Sequence, residues 1–149
     1  MKILYLCTAN ICRSPAAEFY MRHILARLEI PQVEVSSAGI IDMQGASADP
    51  MVTRELKNRG IDMSSHQSKL ATHEMLQQAD EIVVMERRHR AWVREHHPMR
   101  LRKVSLIREP EESVDLFDPT GGTVKEYHRA LEILFACLER RALVFKYPV

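Results

Sequence analysis

The chain has 149 residues, of which 46% are hydrophobic and 28% charged, and its formal net charge is +1. This length and composition are typical of a single globular domain, 1–149, with one sizeable core. The balanced charge argues against nucleic acid or a membrane surface as partner, and no apolar run is long enough to span a bilayer. Three cysteines are too few for a secreted disulfide scaffold. We therefore expect a cytoplasmic protein.

Strand-like and helix-like segments alternate through the first half of the chain. A short apolar run predicts a buried strand at 2–6, and helical periodicity predicts a helix over 16–28. A second strand is predicted at 33–37. An Asp-Pro start and a glycine stop predict a helix over 49–59, and a threonine cap predicts a short one over 72–79.

The second half continues the alternation. A β-branched run predicts a strand at 81–85, followed by a helix over 87–96 and a strand at 103–107. A loop over 109–122 leads to the last helix, predicted over 123–141. The whole order predicts a three-layer α/β/α fold, with a four-stranded parallel sheet and helices on both faces.

One segment, 7–15, combines the features of an anion site with a nucleophile. It reads Cys-Thr-Ala-Asn-Ile-Cys-Arg-Ser-Pro and joins a strand to a helix, at the sheet edge where parallel α/β folds bind ligands. Backbone N–H groups before a helix make a cradle for anions, and Arg13 offers a planar fork that can hold two phosphate oxygens. The same positive field favours a thiolate at Cys7. Ser14 could donate a hydrogen bond to that sulfur.

Other readings of this segment are weaker. The Gly-Lys-Ser/Thr of a nucleotide-binding loop is missing, so neither ATP nor Mg²⁺ is implied. A metal site built on Cys7 and Cys12 is another alternative, but zinc sites need four ligands and no nearby Cys or His supplies the others. A lone cysteine at a strand end would be read as a buried hydrophobe, but this one precedes an arginine and a Ser-Pro helix start. We expect no metal and no cofactor.

The chain resembles the low-molecular-weight protein tyrosine phosphatases over most of its length. Five landmarks occur in the family's order: the signature at 7–15, Ser-Ala-Gly at 37–39, Gly-Ile-Asp-Met-Ser with a following histidine at 60–66, the strand region at 79–85, and Asp-Pro at 118–119. The resemblance implies a four-stranded parallel sheet with helices on both sides. It also implies an enzyme that hydrolyses phosphotyrosine in a phosphorylated protein substrate.

The resemblance implies a role for each catalytic residue. Cys7 would attack phosphorus and form a phosphocysteine, and Arg13 would clamp the phosphate oxygens. Asp118 would protonate the leaving oxygen and then deprotonate the attacking water. Asp115 is a rival acid, but no proline follows it.

The resemblance also assigns supporting residues. Asn10, Ser37 and His66 match positions that hold the loop in shape, and Cys12 matches a cysteine that can pair with the nucleophile under oxidation. The remaining residues of the phosphate-binding loop would be Thr8, Ala9, Ile11 and Ser14.

Substrate class is the open question. Tyrosine phosphatases of this family often carry an aromatic residue where this chain has Thr120. The Gly-Gly that follows resembles the protein-arginine phosphatase branch, but that branch carries threonine where this chain has the apolar Ile11, which favours phosphotyrosine. An arsenate reductase would need relay cysteines that 79–107 lacks. A binding module without catalysis would need neither a thiolate nor an acid.

Two further segments carry expectations. The histidines and arginines of 87–97 are most simply a solvated helix face. The apolar residues of 143–149 are expected to form a tail that packs on the sheet edge or on a partner.

Overall fold

Four parallel strands form the centre of the structure, a computed structural model that describes residues 1–148. They are β1 (Lys2–Cys7), β2 (Glu34–Gly39), β3 (Glu81–Val84) and β4 (Val104–Leu106), in the spatial order β2-β1-β3-β4. Every neighbouring pair runs parallel. After β2 the chain crosses to the other side of β1, so β1 ends at the point where the strand order reverses. Ligands of open α/β sheets bind at this point.

Within residues 1–148, five α-helices flank the sheet: α1 (Arg13–Arg27), α2 (Pro50–Lys57), α3 (His73–Gln78), α4 (Arg87–His96) and α5 (Val124–Lys146). A short 3₁₀ helix, Pro98–Lys103, leads into β4. The predicted caps are present, since the side chain of Asp49 accepts a hydrogen bond from Met51 N–H and Thr72 accepts one from Met75 N–H.

Alternation along the strands builds a hydrophobic core on each face of the sheet. Ile3, Tyr5 and Cys7 of β1 face one core, which they share with the buried faces of α1, α2 and α5. Leu4 and Leu6 face the other core, which is closed by α3 and α4. Successive side chains of a strand point to opposite faces, so a strand buried on both sides is a continuous apolar run. The predicted three-layer fold is confirmed.

The differences from the predicted boundaries have local causes. Helix α1 begins at Arg13 rather than 16, because Pro15 lies in a first turn where its missing N–H has no helical partner to lose. Helix α5 extends five residues beyond its predicted end at 141, so most of the expected tail is helical. Leu143 and Val144 on this helix, and Tyr147 directly after it, are exposed. Val149, the last residue of the expected domain and tail, lies outside the described residues. None of the helices in residues 1–148 has the length and apolarity to cross a membrane.

Candidate active site

The segment between β1 and α1, residues 7–14, is wrapped closely by the end of β2. We call it the catalytic loop. The backbone N–H groups of Ile40 and Ile41 donate hydrogen bonds to the carbonyls of Cys7 and Thr8, at 3.1 and 3.0 Å. At Gly39 a Cβ atom would lie 2.8–2.9 Å from backbone atoms of the loop. Only glycine lets the two backbones come this close.

A pocket of about 80 Å³ opens at this loop. Its lining joins residues that are more than a hundred positions apart in the chain: Cys7, Thr8, Ala9, Ile11, Cys12, Arg13, Asp118 and Thr120. The structure thus brings the predicted nucleophile, clamp and acid to one place. Asn10, Ser14, Ser37 and His66 lie behind the pocket lining rather than in it.

The sulfur of Cys7 lies 2.9 Å from the hydroxyl oxygen of Ser14. The amide of Asn10 donates to the same hydroxyl oxygen, at 2.8 Å. The Ser14 hydroxyl therefore has its own hydrogen to give, either to the sulfur or to the carbonyl of Ala38 at 3.3 Å. A thiolate is the stronger acceptor, so this arrangement favours donation to the charged form of Cys7.

Asn10 organises the loop from within. It is fully buried with φ of 57°, a left-handed conformation that asparagine tolerates better than most residues. Its amide donates to Ser14 and, at 2.9 Å, to Ser37, and its side-chain oxygen accepts from the backbone N–H of Lys69 at 3.0 Å. His66 Nε2 donates to the Asn10 carbonyl at 2.8 Å. The other two expected supporting residues, Ser37 and His66, are therefore both in direct contact with Asn10.

Arg13 is 1% exposed and anchored at its far end. Nη1 donates to the Leu116 carbonyl at 2.7 Å, and Nη2 lies 2.8 Å from a carboxylate oxygen of Glu86 and 3.5 Å from one of Asp118. Nε is buried and has no hydrogen-bond partner in residues 1–148. A buried donor of this kind is costly unless an acceptor meets it, so Nε is available to a bound anion.

Asp118 stands on the exposed loop over 109–122, with 37% of its side chain accessible. Thr120 donates to one carboxylate oxygen twice, from its hydroxyl at 2.7 Å and from its backbone N–H at 3.1 Å. Partial burial pushes the pKa of Asp118 upward, but the Thr120 hydrogen bonds and the charges of Arg13 and Arg88 outweigh it and hold the pKa below its usual value. Asp115 is turned away, because its carboxylate accepts from the backbone N–H of Arg87 at 2.8 Å.

Cys12 lies beside the nucleophile but in a less polar setting. It is 3% exposed and forms no disulfide. Burial, followed by the nearby negative charges of Cys7 and Asp49, raises the pKa of the Cys12 thiol well above its usual range. Cys12 is therefore a neutral thiol at physiological pH.

The expectation of a solvated face over 87–97 is wrong for His89. This residue is fully buried, and burial together with the charge of Arg13 lowers its pKa to about 4. Its Nδ1 accepts from the backbone N–H of Glu86 at 3.1 Å, so the proton lies on Nε2, which donates to the Thr8 hydroxyl at 3.0 Å. The sequence signal was available, because His89 lies four residues before the buried Val93 on the inner face of α4.

Glu86 was also missed by the sequence reasoning. It is the N-cap of α4, and its carboxylate contacts both Arg13 and Arg88. Burial would raise the pKa of Glu86, but hydrogen bonds from Arg88 and the charge of Arg13 hold it below its usual value. Helix-capping spacing alone does not distinguish such a carboxylate from an ordinary cap, since its partner Arg13 is remote in sequence.

The fold and this pocket define an α/β protein with a cysteine at the floor of a phosphate-sized cradle. The family model described as low molecular weight phosphotyrosine protein phosphatase matches residues 2–142. The chain belongs to this family.

Individual relatives differ in the substrate that their names give. The chain is 34% identical to the probable low molecular weight protein-tyrosine-phosphatase EpsP of Ralstonia nicotianae, over 89% of this chain and 87% of that protein. It is 30% identical to a protein-arginine-phosphatase of Geobacillus stearothermophilus, over 95% and 93% of the two chains. Among solved structures, a low molecular weight protein tyrosine phosphatase from T. tengcongensis superposes with a TM-score of 0.91 at 30% identity, covering 96% and 98%.

Proposed function

We propose that this protein hydrolyses phosphotyrosine in proteins through a phosphocysteine intermediate, and that residues 1–149 act as one cytoplasmic phosphatase domain. The observation that carries the proposal is the 2.9 Å contact between Cys7 Sγ and the Ser14 hydroxyl, in a pocket that Arg13 and Asp118 also line. A pure phosphate binder has no use for a nucleophile and an acid in the same pocket.

In the first step the Cys7 thiolate attacks phosphorus and the bond to the tyrosine oxygen breaks. Asp118 gives its proton to that oxygen, which leaves as the neutral phenol. Arg13 Nε and the backbone N–H groups of the loop donate to the phosphoryl oxygens, where charge is stabilised in the transition state. In the second step water attacks phosphorus, Asp118 takes its proton, and the S–P bond breaks. Ser14 then donates its hydrogen bond to the departing thiolate.

Asp118 must be protonated for the first step although its pKa is lowered in the free protein. Substrate binding changes its surroundings. The phosphate dianion engages Arg13, which weakens the attraction of Arg13 for Asp118, and adds negative charge beside the carboxylate. Both changes favour the protonated acid.

Phosphoarginine is the second candidate substrate, because a relative of similar identity is named a protein-arginine-phosphatase. Beyond the catalytic groups, the pocket lining includes Ala9, Ile11 and Thr120. Ile11 and Ala9 are apolar and suit a phenyl ring better than a guanidinium, which needs hydrogen-bond acceptors. This favours phosphotyrosine.

The deciding experiment compares hydrolysis of one peptide carrying phosphotyrosine with the same peptide carrying phosphoarginine, with Cys7→Ser as the blank. We expect a higher kcat/KM for phosphotyrosine. A preference for phosphoarginine would leave the mechanism intact and reassign the substrate. Turnover of neither peptide would favour a binding module.

A further inference from the structure

The guanidinium of Arg88 is held in one orientation although more than half of its side chain is exposed. Nε and Nη2 each donate to a different oxygen of the Glu86 carboxylate, both at 3.1 Å, and Nη2 also donates to the Thr8 hydroxyl at 2.5 Å. Glu86 in turn is anchored by the buried Arg13. The side chain of Arg88 is 53% exposed, and Nη1 makes no hydrogen bond to any residue in 1–148. The donors of Nη1 are therefore free at the surface.

This guanidinium lies at the mouth of the active-site pocket. Thr8, to which it donates, lines the pocket together with Cys7 and Asp118. The positive charge of Arg88 also contributes to lowering the pKa of Asp118, which agrees with its position beside that carboxylate. The Arg88 guanidinium is therefore a neighbour of any substrate whose phosphate reaches Cys7.

The charges around Arg88 leave it able to attract an anion once substrate is bound. Arg13 and Arg88 share one carboxylate, Glu86, and the neighbouring Arg87 is paired with Asp115. The remaining carboxylate, Asp118, is neutral when it serves as the acid. The phosphate then neutralises the charge of Arg13. The charge of Arg88, which faces solvent, is only partly neutralised, because Glu86 also contacts Arg13.

We propose that Arg88 selects substrates in which an anionic group flanks the phosphorylated residue, and that Nη1 binds this group. The class of ligand is a carboxylate or a second phosphate, because a pre-oriented guanidinium with free N–H groups suits both. This inference rests on the proposed phosphatase function and adds a substrate preference to it. Arg88 acts here as a specificity residue and takes no part in the chemical steps.

The test uses three phosphotyrosine peptides that differ only at the flanking positions, with glutamine, glutamate or phosphoserine. The readout is the ratio of kcat/KM for each anionic peptide to that for the glutamine peptide, so any effect of Arg88 on basal catalysis cancels. We expect a ratio of about fivefold in the wild type, the upper range for an exposed ion pair. In Arg88→Gln the ratio falls to about one, and in Arg94→Gln, which removes an exposed arginine farther along α4, it is unchanged.

The outcomes distinguish failure of the Arg88 inference from failure of the phosphatase function. A ratio above one with the glutamate peptide alone identifies a carboxylate as the ligand. A ratio above one with the phosphoserine peptide alone identifies a second phosphate. A wild-type ratio of one with both peptides, or a ratio that survives in Arg88→Gln, overturns the Arg88 inference while the phosphatase function stands. If no peptide is hydrolysed, both proposals fail. This case is recognised because the peptide with glutamine at the flanking positions is not hydrolysed either.

Discussion

The catalytic loop and the loop over 109–122 meet at one pocket but are held in different ways. Asn10, Arg13 and Ser14 of the catalytic loop are at most 1% exposed, and hydrogen bonds fix the loop from behind. The loop over 109–122 is mostly exposed, and Asp118 is held by Thr120 and by a distant contact with Arg13. The phosphate site is thus pre-formed, whereas the acid can change its partners when substrate arrives.

The exposed loop is attached to the rest of the molecule on both sides of Asp118. Leu116 N–H donates to the Met85 carbonyl at 2.8 Å, and Gly121 N–H donates to the Tyr127 hydroxyl at 3.3 Å. The Tyr127 hydroxyl in turn donates to the Asp49 carboxylate at 2.6 Å. Asp49 is adjacent to the catalytic loop, since its backbone N–H donates to the Ile11 carbonyl. The difference predicts that changes in the buried support of the catalytic loop affect binding and folding together, while changes at Asp118 and Thr120 affect proton transfer.

The largest effect is expected for Cys7→Ser. A serine hydroxyl is a far weaker nucleophile than a thiolate, so kcat should fall by about 10⁴-fold or more. Inorganic phosphate should still bind, because the donors of the loop are unchanged. Cys137→Ser, which alters a buried cysteine on α5, is the matched control and should keep its activity. Retained turnover in Cys7→Ser would contradict the role of Cys7.

Asp118→Asn should come next, with a loss of about 10²–10³-fold in kcat on phenyl phosphate. On para-nitrophenyl phosphate the loss should be smaller, because that leaving group needs little protonation. Asp115→Asn serves as control, since its carboxylate binds Arg87 rather than the pocket. An equal loss on both substrates would point to another acid.

Asn10→Ala should weaken the pre-formed loop. It removes buried hydrogen bonds to Ser14, Ser37 and Lys69 N–H, and the free energy of unfolding should fall by about 2–4 kcal/mol, measured by urea denaturation. Asn10→Gly is the matched control, because glycine adopts the positive φ of this position without steric strain and the change removes the hydrogen bonds alone. A stability of Asn10→Gly close to that of the wild type would mean that backbone strain, and not the network, sets the effect.

The buried histidine of α4 predicts a pH dependence of stability. The pKa of His89 is about 4 in the folded protein against 6.5 for the ordinary side chain. As pH falls below 6.5, His89 binds a proton in the unfolded chain but stays neutral in the folded chain. The free energy of unfolding therefore decreases until the pH reaches about 4. The melting temperature of His89→Gln should therefore fall less between pH 7 and 5 than that of the wild type. Parallel curves would refute the assignment.

The smallest effect is expected for Thr120→Val. This change removes the hydroxyl hydrogen bond to Asp118, one of the causes that lower its pKa, so the pKa should rise. Because the acid must be protonated, the basic limb of the kcat/KM profile should move to higher pH. Thr120→Ser keeps the hydroxyl and should restore the wild-type profile. An unchanged limb in Thr120→Val would show that Thr120 does not tune the acid.

Much of this molecule could be predicted because its signals are local. The alternation of strands and helices follows from apolar periodicity and caps such as Asp49 and Thr72, which act within a few residues. The segment 7–15 carries its nucleophile, arginine and helix start in one continuous run, so the sequence alone determined the anion cradle. The prediction was wrong where a residue's surroundings come from elsewhere, as for His89.

Only the tertiary structure decided which partners the charged groups meet. Arg13 contacts Glu86 and Leu116, and Arg88 contacts Thr8, across separations of 73 to 103 positions, and no periodicity encodes such pairs. The order of the strands brings the ends of β1 and β3 together, and with them the catalytic loop and the start of α4. The sequence therefore determined which chemistry is present, and packing decided how each group is oriented and charged, because burial and long-range contacts exist only in the folded chain.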